Sequence, residues 1–319
     1  MSNHLEVLVV GAGKIAQEYV KVLIALDTKP IVVTRGVNKA ELINSLFENI
    51  TVITGGIESF LSNNSTLPDY AIVATPAPTL FNISRLLIES GVRNILIEKP
   101  GVFNYQHAME LSEMAKIHGS KVSIGFNRRA FQSVQRAKEI IENDGGIVSM
   151  HFDFSEAIYR QSEKDLARYD EESLSYWGIA NSSHVIDLAF YLLGPIKHLK
   201  TARYGDDITW HKNGSIFMGF GESLNGVPFS YHSNWNCPGR WRIEVMTSHR
   251  KLIFSPLEQL SQQTLHSFHI EDVKIDTVID NKYKPGYCLQ VKRFIEGNGI
   301  FDLHELSSSI ITFNRIFGY

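Results

Sequence analysis

One short turn restricts this chain more than any other feature. Gly11-Ala12-Gly13-Lys14-Ile15-Ala16 stands between a near-continuous apolar run, Leu5 to Val10, and a segment whose apolar residues recur at helical spacing. A run apolar on both faces is what a parallel strand needs when helices cover each side of its sheet. Ile15, Tyr19, Val22, Leu23 and Leu26 predict a helix over Lys14 to Leu26, and a second strand is expected from Ile31 to Thr34. Strand, glycine turn, helix and strand within about 30 residues make a βαβ unit of the Rossmann kind.

The alternation continues. Helices are predicted at Lys39 to Phe47, Thr79 to Glu89 and Gln106 to His118, and strands at Thr51 to Thr54, Tyr70 to Ala74, Asn94 to Ile97 and Lys121 to Gly125. Such a succession predicts an α/β fold with a doubly wound parallel sheet. After Gly125 the texture changes. A helix from Arg129 to Asn143 leads into strands at Ile147 to Ser155, Ile196 to Arg203, Ser215 to Phe220, Phe229 to Trp235, Arg242 to Met246 and Lys251 to Phe254. These predict a second α/β domain with a largely antiparallel, open-faced sheet. The expected division is residues 1–124 for the Rossmann domain and 125–319 for a substrate-binding and oligomerisation domain. An uncovered apolar sheet face is normally buried by another subunit, so a homodimer or homotetramer is expected.

Composition narrows the partners. A length of 319 residues suits two domains, each with its own core. With a formal net charge of −3 and its cations dispersed, the chain offers no basic footprint for nucleic acid or anionic lipid. A small-molecule partner fits better. Cys237 and Cys288 stand far apart in no ligand spacing, so neither a disulfide framework nor a metal site is expected. No secretory signal or membrane-length apolar stretch is apparent, and the expected location is the cytoplasm.

The glycine turn carries the chemistry. Gly11 permits the tight turn, Gly13 lets backbone approach a pyrophosphate, and small Ala16 allows close helix packing. Lys14 and Ile15 open the helix whose free N–H groups would meet the anion. Where sites that prefer NAD place an acid after the second strand, this chain reads Thr34-Arg35-Gly36. Arg35 can pair with a 2′-phosphate and stack on adenine, so NADP is favoured over NAD, with Lys39 a weaker helper.

These features, with Ala74-Thr75-Pro76, Glu98-Lys99-Pro100, Gly125-Phe126-Asn127-Arg128-Arg129 and His184-Val185-Ile186-Asp187 before Leu192-Leu193-Gly194, make a chain that resembles the Gfo/Idh/MocA oxidoreductases along nearly its whole length. The resemblance implies that Thr75, Pro76, Glu98 and Lys99 border the cofactor, and that Lys99 and His184 are the catalytic pair. An ammonium at Lys99 would stabilise negative charge on oxygen as hydride moves, and the imidazole would take or return a proton. Asn127, Arg128, Asn181 and Asp187 are implied to line the substrate site, with Asn181, Ser182 or Ser183 capping the helix that carries His184. Asp187 could orient the imidazole, bind a substrate hydroxyl, or satisfy a buried backbone group.

The chain departs from the family at Ala180, where many members carry an aspartate, at Ser182, where glycine is usual, and at Leu80, where histidine is frequent. Tyr176 and Asn181 are candidates to hold a hydroxyl instead. The segment Asn234 to Trp241 reads either as a sugar-binding surface or as a sheet turn with packed tryptophans. The function expected is hydride transfer between NADP and a carbinol or carbonyl carbon of a sugar, nucleotide sugar or polyol. The alternatives are a catalytically impaired NADP-binding sensor or scaffold, and a reductase of a non-sugar substrate.

Overall fold

The computed structural model describes residues 4–298 and 302–319. Contacts divide the chain into two compact units, Met1–Asn127 with Asn281–Ser308, and Arg128–Asp280 with Ser309–Tyr319.

In the first unit the strands are β1 (Glu6–Val10), β2 (Lys29–Val33), β3 (Thr51–Ile53), β4 (Tyr70–Val73), β5 (Asn94–Glu98) and β6 (Lys121–Gly125), all parallel in the order β3-β2-β1-β4-β5-β6. Between them run α1 (Lys14–Ala25), α2 (Val37–Leu46), α3 (Gly56–Asn63), α4 (Ala77–Glu89) and α5 (Tyr105–His118). The strand order reverses between β1 and β4, the switch point outside which open α/β sheets bind ligands. Val10 pairs with both Val33 and Val73, so the turns that follow these three strands share one rim.

The sequence reading has no counterpart for α3. Its eight residues bury Ile57 and Phe60 on one side, but Gly55-Gly56 at its start reads as a turn.

A 3-10 turn, Asn127–Ala130, precedes α6 (Gln132–Asn143) of the second unit, which therefore begins three residues later than expected. Next come β7 (Ser149–Asp153), two short helices, α7 (Glu163–Leu166) and α8 (Glu171–Ser175), and then α9 (Ser183–Leu193). The remaining strands are β8 (Ile196–Tyr204), β9 (Ile216–Ser223), β10 (Pro228–Asn234), β11 (Arg242–Met246), β12 (Arg250–Phe254), β13 (Ser261–Thr264) and β14 (Glu271–Asp272). The eight-stranded sheet runs β14-β13-β12-β11-β7-β10-β9-β8 and is antiparallel except where β7 meets β10. Its inner face buries Met150, Phe152, Phe229, Tyr231, Ile243 and Val245.

The outer face differs from the apolar surface expected. At its centre His151 meets Ser230 at 2.9 Å and His232 meets Asp153 at 3.2 Å, and toward β8 and β9 Tyr204, Met218 and Phe220 stand exposed.

Beyond β14 the chain forms α10 (Val278–Lys282), α11 (Tyr287–Glu296) and α12 (Leu303–Phe317). The expected single domain from 125 to 319 needs correcting here, because residues 281–308 belong to the first unit. The cause is the apolar stripe of α11: Tyr287, Val291 and Phe294 join Tyr19, Val20 and Leu23 in the core above β1. Among the described residues no helix is long and apolar enough to cross a membrane.

Candidate functional site

The turn after β1 is built as a phosphate cradle requires. Gly11 has φ +121°, and a Cβ there would lie 2.4 Å from the Ala74 carbonyl oxygen, so only glycine lets β1 and β4 close at the rim. Gly13 is different. Among the described residues no atom lies within 4 Å of the place its Cβ would take, so packing does not demand a glycine. The space is open beside the first turn of α1, which has no side-chain cap and no acid among its opening residues. Free N–H groups and the positive end of the helix dipole face that space, which fits a pyrophosphate. Lys14 is exposed, Ile15 half-buried, and Ala16 fully buried under the helix.

Thr34 and Arg35 follow β2 on the same rim. The Thr34 backbone is committed, its N–H donating to Ile53 O at 3.0 Å and its carbonyl accepting from the Gly56 N–H at 3.1 Å. The Arg35 side chain is exposed, and no carboxylate replaces it at that position. Thr75 lies beside Gly11, and its hydroxyl accepts from Thr79 at 2.9 Å while the Pro76 carbonyl accepts from the Thr79 N–H.

Glu98 needs a correction. Read as bordering the cofactor, its carboxylate instead turns into the core, where Oε1 accepts from Tyr19 at 2.6 Å and Tyr287 at 2.9 Å, and Gln290 donates to the Tyr19 hydroxyl at 2.9 Å. This network fixes the end of β5, from which half-buried Lys99 departs through a cis bond to Pro100. Asn127 is likewise turned inward, donating to the Pro285 carbonyl at 2.9 Å.

Burial, and then the negative charge of Glu98, push the Tyr19 phenol well above its usual value, and burial also pushes up Tyr319. Unfolded tyrosines lose their proton near pH 10 while these two keep theirs, so the unfolded state binds fewer protons there and stability falls as pH rises past that value. Urea midpoints measured from pH 9 to 11 should decline, less steeply in Tyr19→Phe. A flat profile contradicts the network.

The second unit holds its own constellation. Before α9 the chain makes a π-turn, Gly178–Ser182, of a kind frequent at functional sites. No side chain caps α9, contrary to expectation. Ser183 bonds back to the Ile179 carbonyl at 2.7 Å, and Ser182 reaches Glu156 at 2.5 Å. Buried His184 follows in the first turn of α9, its ring 6.0 Å from that of Trp241, over which the Arg128 guanidinium lies at 5.1 Å. Arg128, Glu156, Asn181, Arg240 and Trp241 line a cavity of 380 Å³.

Asp187 does not line that cavity. Arg129 grips both of its oxygens at 2.7 and 2.9 Å, a buried bidentate pair that ties α9 to the turn before α6. The tryptophan run divides: Trp235 is core, packed on His211 and Phe217, while Trp241 lines the cavity.

Sequence reasoning missed Glu156. It stands just past β7, nine-tenths buried, and accepts from Trp177 Nε1, Asn181 Nδ2 and Ser182 Oγ. The only signal was an acid closing an otherwise alternating strand.

Residues 5–126 match the family model of Gfo/Idh/MocA oxidoreductases with an NAD-binding Rossmann fold. Oxidoreductase P35 of Formosa agariphila is 25% identical over 191 residues, and the match spans 57% of either chain. A UDP-N-acetylglucosamine 3-dehydrogenase from Acidithiobacillus ferrooxidans shares the fold with TM-score 0.76 at 14% identity, covering 99% of this chain and 97% of that one. A dehydrogenase from Chromobacterium violaceum, solved with NADH and UDP-GlcNAcA, does so with TM-score 0.76 at 15% identity, covering 99% and 94%.

Proposed function

We propose, from the membership of its residues 5–126 in the NAD-binding Gfo/Idh/MocA oxidoreductase family, that this chain transfers a hydride between NADP and a carbinol or carbonyl carbon of a sugar, nucleotide sugar or polyol. The observation that carries the reading is the open cradle at Gly13 beside the uncapped start of α1. Gly11, Gly13, Lys14 and Ile15 hold the pyrophosphate, Thr75 and Pro76 border the dinucleotide, and Arg35 takes the 2′-phosphate.

A bound nicotinamide supplies the hydride acceptor or donor. The chain's own task is to hold the substrate oxygen and move its proton. Lys99 donates a hydrogen bond to that oxygen, favouring the form in which negative charge gathers there. His184 accepts the hydroxyl proton during oxidation, or returns it during reduction. Arg128 and Asn181, on the cavity wall, hold the remainder of the substrate. The sugar class has support in the relative named for UDP-N-acetylglucosamine and in the one solved with UDP-GlcNAcA.

The test is a change in nicotinamide absorbance when purified protein meets NADP⁺ and glucose, myo-inositol or UDP-N-acetylglucosamine. Turnover with one of them supports the reading. Silence with all three removes the sugar dehydrogenase reading and leaves the alternatives, the sensor or scaffold motivated by Ala180 and Leu80 and the reductase of a non-sugar substrate.

A further inference from the structure

The buried carboxylate of Glu156 belongs to none of the motifs by which the chain resembles its relatives, yet it lines the cavity wall together with Asn181. A carboxylate only accepts hydrogen bonds, so each group around it must offer a proton. Trp177 Nε1 and Asn181 Nδ2 both lie 2.7 Å from Oε2, and Ser182 Oγ lies 2.5 Å from Oε1. For the indole this is the only possible role. For an asparagine amide, whose nitrogen and oxygen can exchange places, it is a constraint: the nitrogen must face Glu156 and the oxygen must face away. Among the described residues no group donates to that amide oxygen, and Asn181 stands on the cavity wall.

We propose that Glu156 is a specificity-determining positioning residue: it holds Asn181 as an acceptor toward the cavity, so that the substrate must present a hydrogen-bond donor there, a hydroxyl in the sugar class. The same three contacts pin both ends of the π-turn that leads into His184. A substrate oxygen with no hydrogen, such as an ether or a keto oxygen, meets an oxygen at this point and is rejected. A site built for a buried hydroxyl discriminates strongly against an analogue that cannot pair with it.

The inference rests on the hydride-transfer reading, and one experiment separates the two. Glu156→Leu keeps a similar volume but offers Asn181 no acceptor, so the amide is free to turn. With NADP⁺ and whichever of glucose, myo-inositol and UDP-N-acetylglucosamine turns over best, kcat/KM should fall on the order of 10- to 100-fold. The affinity for NADPH alone should be unchanged.

A double-mutant cycle distinguishes positioning from a merely structural role: in an Asn181→Ala background Glu156→Leu should add little, because the group it acts through is gone. Should Glu156→Leu fail to fold, Asn181→Asp, which sets a second acceptor against Glu156 at nearly the same shape as asparagine, should lose activity to the same degree. Wild-type turnover that survives in Glu156→Leu or Asn181→Asp, or losses that simply add in the cycle, overturn this inference alone. Absence of turnover in the wild type overturns the hydride-transfer reading and this inference with it.

Discussion

Lys99→Met lowers kcat on the order of 100- to 1000-fold while leaving NADPH affinity within the error of a fluorescence titration. Methionine keeps the length and the apolar stem of the half-buried side chain, so the rim of the first unit survives. What disappears is the ammonium, the positively charged donor of the Glu98-Lys99-Pro100 turn, able to donate to an oxygen on which negative charge develops. Removing a single preorganised donor of that kind costs about 2.7–4 kcal/mol of transition-state stabilisation. Because the donor matters most where charge is greatest, the loss should fall on kcat more than on KM. Stopped-flow absorbance of the first turnover reads the chemical step directly. A variant with wild-type kcat would mean that Lys99 is no more than a rim charge.

Arg35→Asp exchanges the cofactor preference. The arginine stands exposed just past β2, where an acid would accept from a ribose 2′-hydroxyl. A guanidinium there pairs with a 2′-phosphate through charge-assisted hydrogen bonds worth about 1.5–3 kcal/mol. Replaced by a carboxylate, the position repels the phosphate and welcomes the hydroxyl. NADPH affinity should fall on the order of 10- to 100-fold or more, and NADH affinity should rise. Parallel titrations with the two reduced cofactors decide the matter. Equal affinities before and after the exchange would show Arg35 to be a solvated loop charge and would withdraw the NADP preference.

The nucleotide domain is legible in the sequence because its signals are local. An apolar run, two glycines and a helical stripe within 26 residues leave few alternatives, and β1, α1 and β2 form where the pattern predicts. What stayed hidden depends on distant partners. Glu98 reads as a cofactor neighbour until it is seen to accept from Tyr19, 79 residues earlier, and Tyr287, 189 residues later. No spacing rule joins those three.

The return of residues 281–308 to the first unit is of the same kind, since an amphipathic stripe shows that α11 buries a face but not which core receives it. Asp187 shares a helix face with His184 at i+3, which left its role open, and the structure shows Arg129, 58 residues earlier, bonded to both of its oxygens, a partner no helical spacing reveals. Ala180 pointed to a missing acid. A carboxylate does stand close by, but it comes from Glu156 after β7 and reaches the two residues that follow position 180.

The central claim is that the first βα corner grips a dinucleotide, and Gly13→Val tests it most directly. Gly13 has φ −75°, open to any residue, and a Cβ there meets no protein atom beyond its chain neighbours among the described residues, so the variant should fold, but its side chain fills the space a pyrophosphate needs. NADPH titrated into the wild-type protein should saturate at one per chain and, titrated into the folded variant, should show no saturable binding. A folded Gly13→Val protein that binds NADPH as tightly as the wild type would contradict the account.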